Sequence, residues 1–78
     1  MEAVIKKKIN NVKYEFKVVN KYYGVEFSLY ADSSLVVMFA LYEEADKIPE
    51  TEGELKDYAE GLIRDLKELV PFLHKYNK

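Results

Sequence analysis

Few residues in this chain could do chemistry. A single histidine, His74, stands between Leu73 and Lys75, and there is no cysteine. Common zinc sites draw on several His or Cys side chains, so one chain of this composition cannot assemble one. Ser28, Ser33 and Ser34 lack the Gly-x-Ser-x-Gly setting that exposes a nucleophile. The three glycines are too scattered for a phosphate-binding loop. Neighbouring carboxylates, which can divide acid and base work, do occur in EEADKIPETEGE, residues 43–54. They fall at a strand exit and a helix start, where acids are favoured by the helix dipole alone. The same run lacks the Asp-x-Asp-x-Asp-Gly spacing of a calcium loop. No enzymatic activity, cofactor or metal is expected.

Charge remains as a source of specificity, and it is unevenly placed. Residues 1–24 hold six Lys against two Glu. Residues 43–60 hold eight acids against Lys47 and Lys56, although the whole chain carries only −2. So small a net charge argues against general affinity for nucleic acid or anionic lipid. The local patches still allow two opposite readings. Glu43, Glu44, Asp46 and Glu50 form an acidic surface for a basic partner, as in small inhibitors that imitate a phosphate backbone. Lys6, Lys8, Lys13 and Lys17, with Tyr30 nearby to stack on a base, form the alternative nucleic-acid surface.

These side chains must be positioned by a small scaffold. Seventy-eight residues make one domain, 1–78, with a modest core and no disulfide to supplement it. Almost half the residues are apolar, including seven Tyr and four Phe, too many for a disordered chain. No run is long enough to span a membrane, and the N-terminus lacks a signal-peptide core. Lack of cysteine fits a reducing compartment, so a cytoplasmic setting is expected.

Residues 1–48 read as an antiparallel sheet. Ile5, Ile9, Val12, Tyr14, Phe16 and Val18 alternate with charged residues at the period of a half-buried strand. Asn10-Asn11 between the two runs suits a two-residue hairpin. A loop over residues 21–24 would bring Val18 opposite Phe27 and Phe16 opposite Leu29. A three-residue loop, Asp32-Ser33-Ser34, would then bring Leu29 opposite Val37 and Phe27 opposite Phe39. Residues 51–76 read as a helix. Leu55, Tyr58, Ala59, Leu62, Ile63, Leu66, Leu69, Val70, Leu73 and Tyr76 form one stripe, and a kink is expected at Pro71. Thr51 and Glu54 match a capping box. The fold class predicted is α+β: a four-stranded antiparallel meander packed on one C-terminal amphipathic helix, ββββα, in two layers. The Thr-x-x-Glu helix start after a run of strands resembles that of small HicB-like antitoxins. The Pro- and Gly-containing loop that precedes it in that family is missing here, so the resemblance brings no function with it.

LVVMFALY, residues 35–42, contains no polar residue at all. With Leu35, Val37, Phe39 and Leu41 turned to the helix, Val36, Met38, Ala40 and Tyr42 are left for the outer face. In a simple meander this strand is an edge, and an edge apolar on both faces favours association. The expected function is that of a small interaction protein, an inhibitor or regulator. Its partner-binding surface comprises Tyr30, Val36, Met38, Tyr42, Glu43, Glu44, Asp46 and Glu50. A protein partner and a homodimer through residues 35–42 are both expected.

Overall fold

The computed structural model describes residues 1–66. Within them the order is β1 (Glu2–Ile9), β2 (Val12–Lys21), β3 (Gly24–Ala31), β4 (Ser34–Tyr42), a 3-10 turn (Ala45–Lys47) and α1 (Glu52–Leu66). The strands form one antiparallel sheet in the order β1-β2-β3-β4, so the expected ββββα fold is the observed one. The expected continuation of the helix through Pro71 to residue 76, with His74, lies outside the described residues.

The hairpins follow from turn chemistry. Asn10 and Asn11 both take positive φ, at 52° and 67°. That is the pattern of a type I′ turn, whose twist matches the strands it joins. Ile9 pairs with Val12 and Ile5 with Phe16, as the alternation predicts. At the second hairpin Gly24 takes φ 150°, and a Cβ there would run into the backbone carbonyl of Leu41. Glycine is therefore required at this position. Val18 pairs with Phe27 and Phe16 with Leu29.

The third hairpin departs from expectation. Asp32 and Ser33, at φ 47° and 72°, make a two-residue turn that pairs Ala31 with Ser34 and Tyr30 with Leu35. A β-bulge then takes up one residue, Val36, before Leu29 meets Val37 and Phe27 meets Phe39. The predicted register holds from Val37 onward, but the residues before it change sides. Leu35, expected against the helix, shares the outer face with Tyr30 and is 53% exposed. Val36, expected outside, is half-buried and packs against the core. An extra residue opposite a single partner reverses the facing of whatever precedes it.

The inner face of β1 to β3 supplies most of the core: Ala3, Ile5, Tyr14, Phe16, Val18, Val25, Phe27, Leu29 and Ala31. The helix adds Leu55, Ala59 and Ile63, four residues apart and so on one side. Each large side chain among them contributes about 1.5–3 kcal/mol by leaving water. Aromatic rings run diagonally across the sheet, with Phe16 6.1 Å from Phe27 and Phe27 5.0 Å from Phe39. Helix α1 lies over β1 and β2. Val37, Phe39 and Leu41 of β4 are consequently only half-buried on the side that faces the helix layer.

Residues 43–51 carry the chain from β4 across to the helix. Asn20 of β2 donates to the carbonyl of buried Pro49 at 3.0 Å, anchoring the crossing. The capping box then forms as its sequence predicts. The Glu54 amide donates to Thr51 Oγ1 at 3.1 Å, and the Thr51 amide donates to Glu54 Oε1 at 3.1 Å.

Candidate functional site

Two surfaces on the outer face of the sheet, away from the helix, hold the exposed apolar candidates of β4 and the basic candidates of β1 and β2. The first lies on β3 and β4. Met38 is 56% exposed and Tyr42 78%, each projecting from the uncharged edge strand. Leu35 joins them by virtue of the bulge. Beneath, Ser28 of β3 is buried between Lys17 and Met38.

At one end of this surface three tyrosines gather. The Tyr42 ring lies 5.3 Å from Tyr23, and Tyr23 meets Tyr22 edge-on at 5.2 Å. Tyr22, at the tip of the turn, is 93% exposed. The Tyr23 hydroxyl donates to Glu26 Oε2 at 3.5 Å. Desolvation within the cluster, and then the Glu26 charge, push its titration upward. This cluster was not among the sequence candidates. Its one sequence signal is the Tyr-Tyr pair beside Gly24, a pair of large rings placed where a turn must project them.

The eight predicted partner-binding residues do not form one surface. Met38 and Tyr42 share the outer face, with Tyr30 half-buried on the neighbouring strand. Val36 is taken into the core side by the bulge. Glu43 turns toward the helix, where its Oε2 accepts a 2.8 Å hydrogen bond from Tyr58 Oη. Burial, with that bond and the nearby Glu43 charge, pushes Tyr58 up to about 12. Glu44, Asp46 and Glu50 are exposed along the crossing. The acidic run thus begins at the end of the edge strand and leaves it in the direction of the helix layer.

The second surface lies at the opposite corner. Lys6, Lys8 and Lys13 line a concavity of about 610 Å³ together with Tyr30 and Glu15. Lys8 and Lys13 are cross-strand partners, so like charges face each other, while Lys6 faces Glu15 and Asp32 completes the lining. Lys17 pairs with Glu2 at 3.3 Å and lies away from the concavity. Lys7, on the inner face, pairs with Glu60 of the helix at 3.7 Å. Lys6, Lys8 and Lys13 make no ion pair among the described residues.

Among the described residues no group of three or more His, Cys, Asp or Glu is placed to hold a metal ion. No described helix is long and apolar enough to cross a membrane. No protein-family model, curated protein or solved structure matches the chain, so its surfaces are the basis for any functional reading.

Proposed function

We propose that the chain is a small interaction protein without catalytic chemistry, an inhibitor or regulator that acts by occupying a surface of another macromolecule. The observation that supports this most is β4. It is an edge strand without a charged residue from Ser34 to Tyr42, and it exposes Met38 and Tyr42. An exposed edge offers unpaired backbone donors and acceptors, and the adjoining side chains supply selectivity. Glu44, Asp46 and Glu50, exposed along the crossing that leaves the end of β4, add a separate acidic flank that steers a basic partner. A cytoplasmic setting suits a chain without cysteine.

Capture from the source cell tests the reading. The wild-type chain should retain a specific protein that Met38→Glu loses and that the triple change Glu44→Lys, Asp46→Lys and Glu50→Lys weakens. Equal capture by all three chains would discard both the edge and its acidic flank.

A second reading has its own support. Lys6, Lys8 and Lys13, without an ion pair among the described residues and set around a concavity that includes Tyr30, suit a single-stranded nucleic acid. Binding of labelled single strands should then fall steeply with added salt and vanish in the double variant Lys8→Glu, Lys13→Glu. No binding at low salt would end that reading.

A further inference from the structure

We infer that β4 pairs with the β4 of a second copy of this chain, antiparallel about a two-fold axis at Ala40, joining two four-stranded sheets into one. The inference rests on the reading of β4 as an interaction surface and names its occupant.

Backbone direction sets the register. In an antiparallel ladder, successive residues point their N–H and C=O groups alternately toward one neighbour and away from it. The Glu43 amide donates to the Tyr23 carbonyl at 3.0 Å, one step beyond the Gly24–Tyr42 pair. Odd-numbered residues of β4, namely Val37, Phe39 and Leu41, therefore address β3. Met38, Ala40 and Tyr42 direct their groups to the open side. The bulge at Val36 breaks the alternation on the other side, so these three residues form the usable ladder.

An axis at Ala40 uses all three. Met38 faces the partner's Tyr42, Ala40 faces the partner's Ala40, and Tyr42 faces the partner's Met38. The two most exposed large apolar side chains of the strand then cover each other, in a sulfur–aromatic contact, while the smallest sits at the axis. On the other face Phe39 meets the partner's Leu41, and both are only half-buried in one copy. Glu43 comes opposite the partner's Val37, so acid does not meet acid. A parallel pairing would set Glu43 against the partner's Glu43 instead.

The two edges of the sheet explain why the occupant is a second copy. Edge strand β1 carries Glu2, Lys6, Lys7 and Lys8, the kind of charge that prevents edge pairing. Edge strand β4 carries none. Two open edges would let chains add β4 to β1 without end, whereas two guarded edges would keep them apart. One open edge and one guarded edge permit a single contact, and a two-fold pair closes it. Each copy also supplies the uncharged, apolar strand that the other requires.

Sedimentation equilibrium of the full chain should give twice the 9.2 kDa protomer mass. Because the chain has no cysteine, Ala40→Cys introduces a sole thiol at the axis. Mild oxidation should convert that variant to a covalent dimer, and Met38→Cys, which faces the partner's Tyr42, should remain uncross-linked. Ala40→Lys places like charges at the axis and should return the protomer mass with an unchanged far-ultraviolet circular dichroism spectrum. Should that variant not fold, Tyr42→Lys at a more exposed position should shift the mass in the same direction. A wild-type chain that stays at the protomer mass up to its solubility limit overturns the inference. Capture of a foreign protein that Ala40→Lys abolishes would then keep β4 as a binding edge, and unchanged capture would discard that too. A dimer that survives Ala40→Lys, or cross-linking by Met38→Cys in place of Ala40→Cys, equally overturns the pairing.

Discussion

The sheet has two edges, and the chain treats them differently. β1 is held from one side by the helix: Ala3 and Ile5 are buried, Lys7 reaches Glu60, and the other lysines face water. β4 has no buried residue and no charge, and its inner row is half-open because α1 lies over β1 and β2. The difference separates two uses of apolar sequence. On β1 to β3 it forms the core, and on β1 and β2 lysines and glutamates alternate with it over most of the outer face. On β4 it exceeds what the core requires. Apolar surface kept on an otherwise unprotected edge is a standing liability to a monomer. It becomes an asset once something occupies it.

The largest expected effect tests that division with one kind of deletion at two places. Phe16→Ala should cost about 3–5 kcal/mol in urea unfolding, because a fully buried ring leaves a cavity behind it. Phe39→Ala removes the same ring from the half-open row of β4 and should cost roughly half of that at low protein concentration. Equal losses would place β4 in the core as firmly as β2 and erase the contrast.

Gly24→Ala comes next. The added Cβ collides with the Leu41 carbonyl, and φ 150° disfavours any residue with a side chain. Strain of this kind costs about 1–3 kcal/mol, so the melting temperature should fall by several degrees. Relief requires β4 to move away from β3 at Tyr42. The loss should therefore appear as faster amide exchange at Leu41 and Glu43, with Ile5 and Phe16 unaffected. Faster exchange spread evenly over the sheet would show that the two edges open together.

Much of this contrast can be read in the sequence, and the part that cannot has a physical cause. On the first two strands every slip of one residue would expose Phe16 or bury a lysine, so alternation fixes the pairing there. In LVVMFALY no polar residue marks a change of phase. A three-residue turn, and a two-residue turn followed by a bulge, both bring Leu29 opposite Val37. They differ only in which of Leu35 and Val36 faces outward. Beyond the bulge, Met38 and Tyr42 lie on the outer face as the alternation predicts, whereas Val36 packs against the core. The direction of Glu43 depends on Tyr58, fifteen residues away, and the tyrosine cluster on contacts across a turn. Neither is a property of local spacing. The capping box is local, and it was legible in full.

That capping box supplies the next prediction. Thr51→Ala removes the acceptor of the Glu54 amide and should lower stability by about 1 kcal/mol. The loss belongs to the helix-covered half of the molecule, so the dimer contact should survive it. A change in sedimentation of this variant at concentrations where it remains folded would couple the helix start to the edge after all.

The smallest effect lies at the seam between the halves, where the exit of β4 meets the helix through Tyr58 and Glu43 at 2.8 Å. The Tyr58 hydroxyl must keep its proton to donate. Burial first, and then the bond and charge of Glu43, raise its titration from the ordinary 10.0 to about 12. A group that holds its proton more tightly when folded stabilises the fold fully below its unfolded value. That contribution then falls as pH rises from about 10 toward about 12. Tyr58 remains partly open to solvent, and screening reduces the bond's worth to about 1 kcal/mol or less. Tyr58→Phe should therefore be slightly less stable than wild type at neutral pH. The gap should close between pH 10 and 12, because only the wild type has this bond to lose. Ultraviolet titration should show one tyrosine fewer ionising at the upper end of that window in the variant. A stability gap that stays constant through the window would mean that the ring's packing, rather than its hydroxyl, joins β4 to the helix.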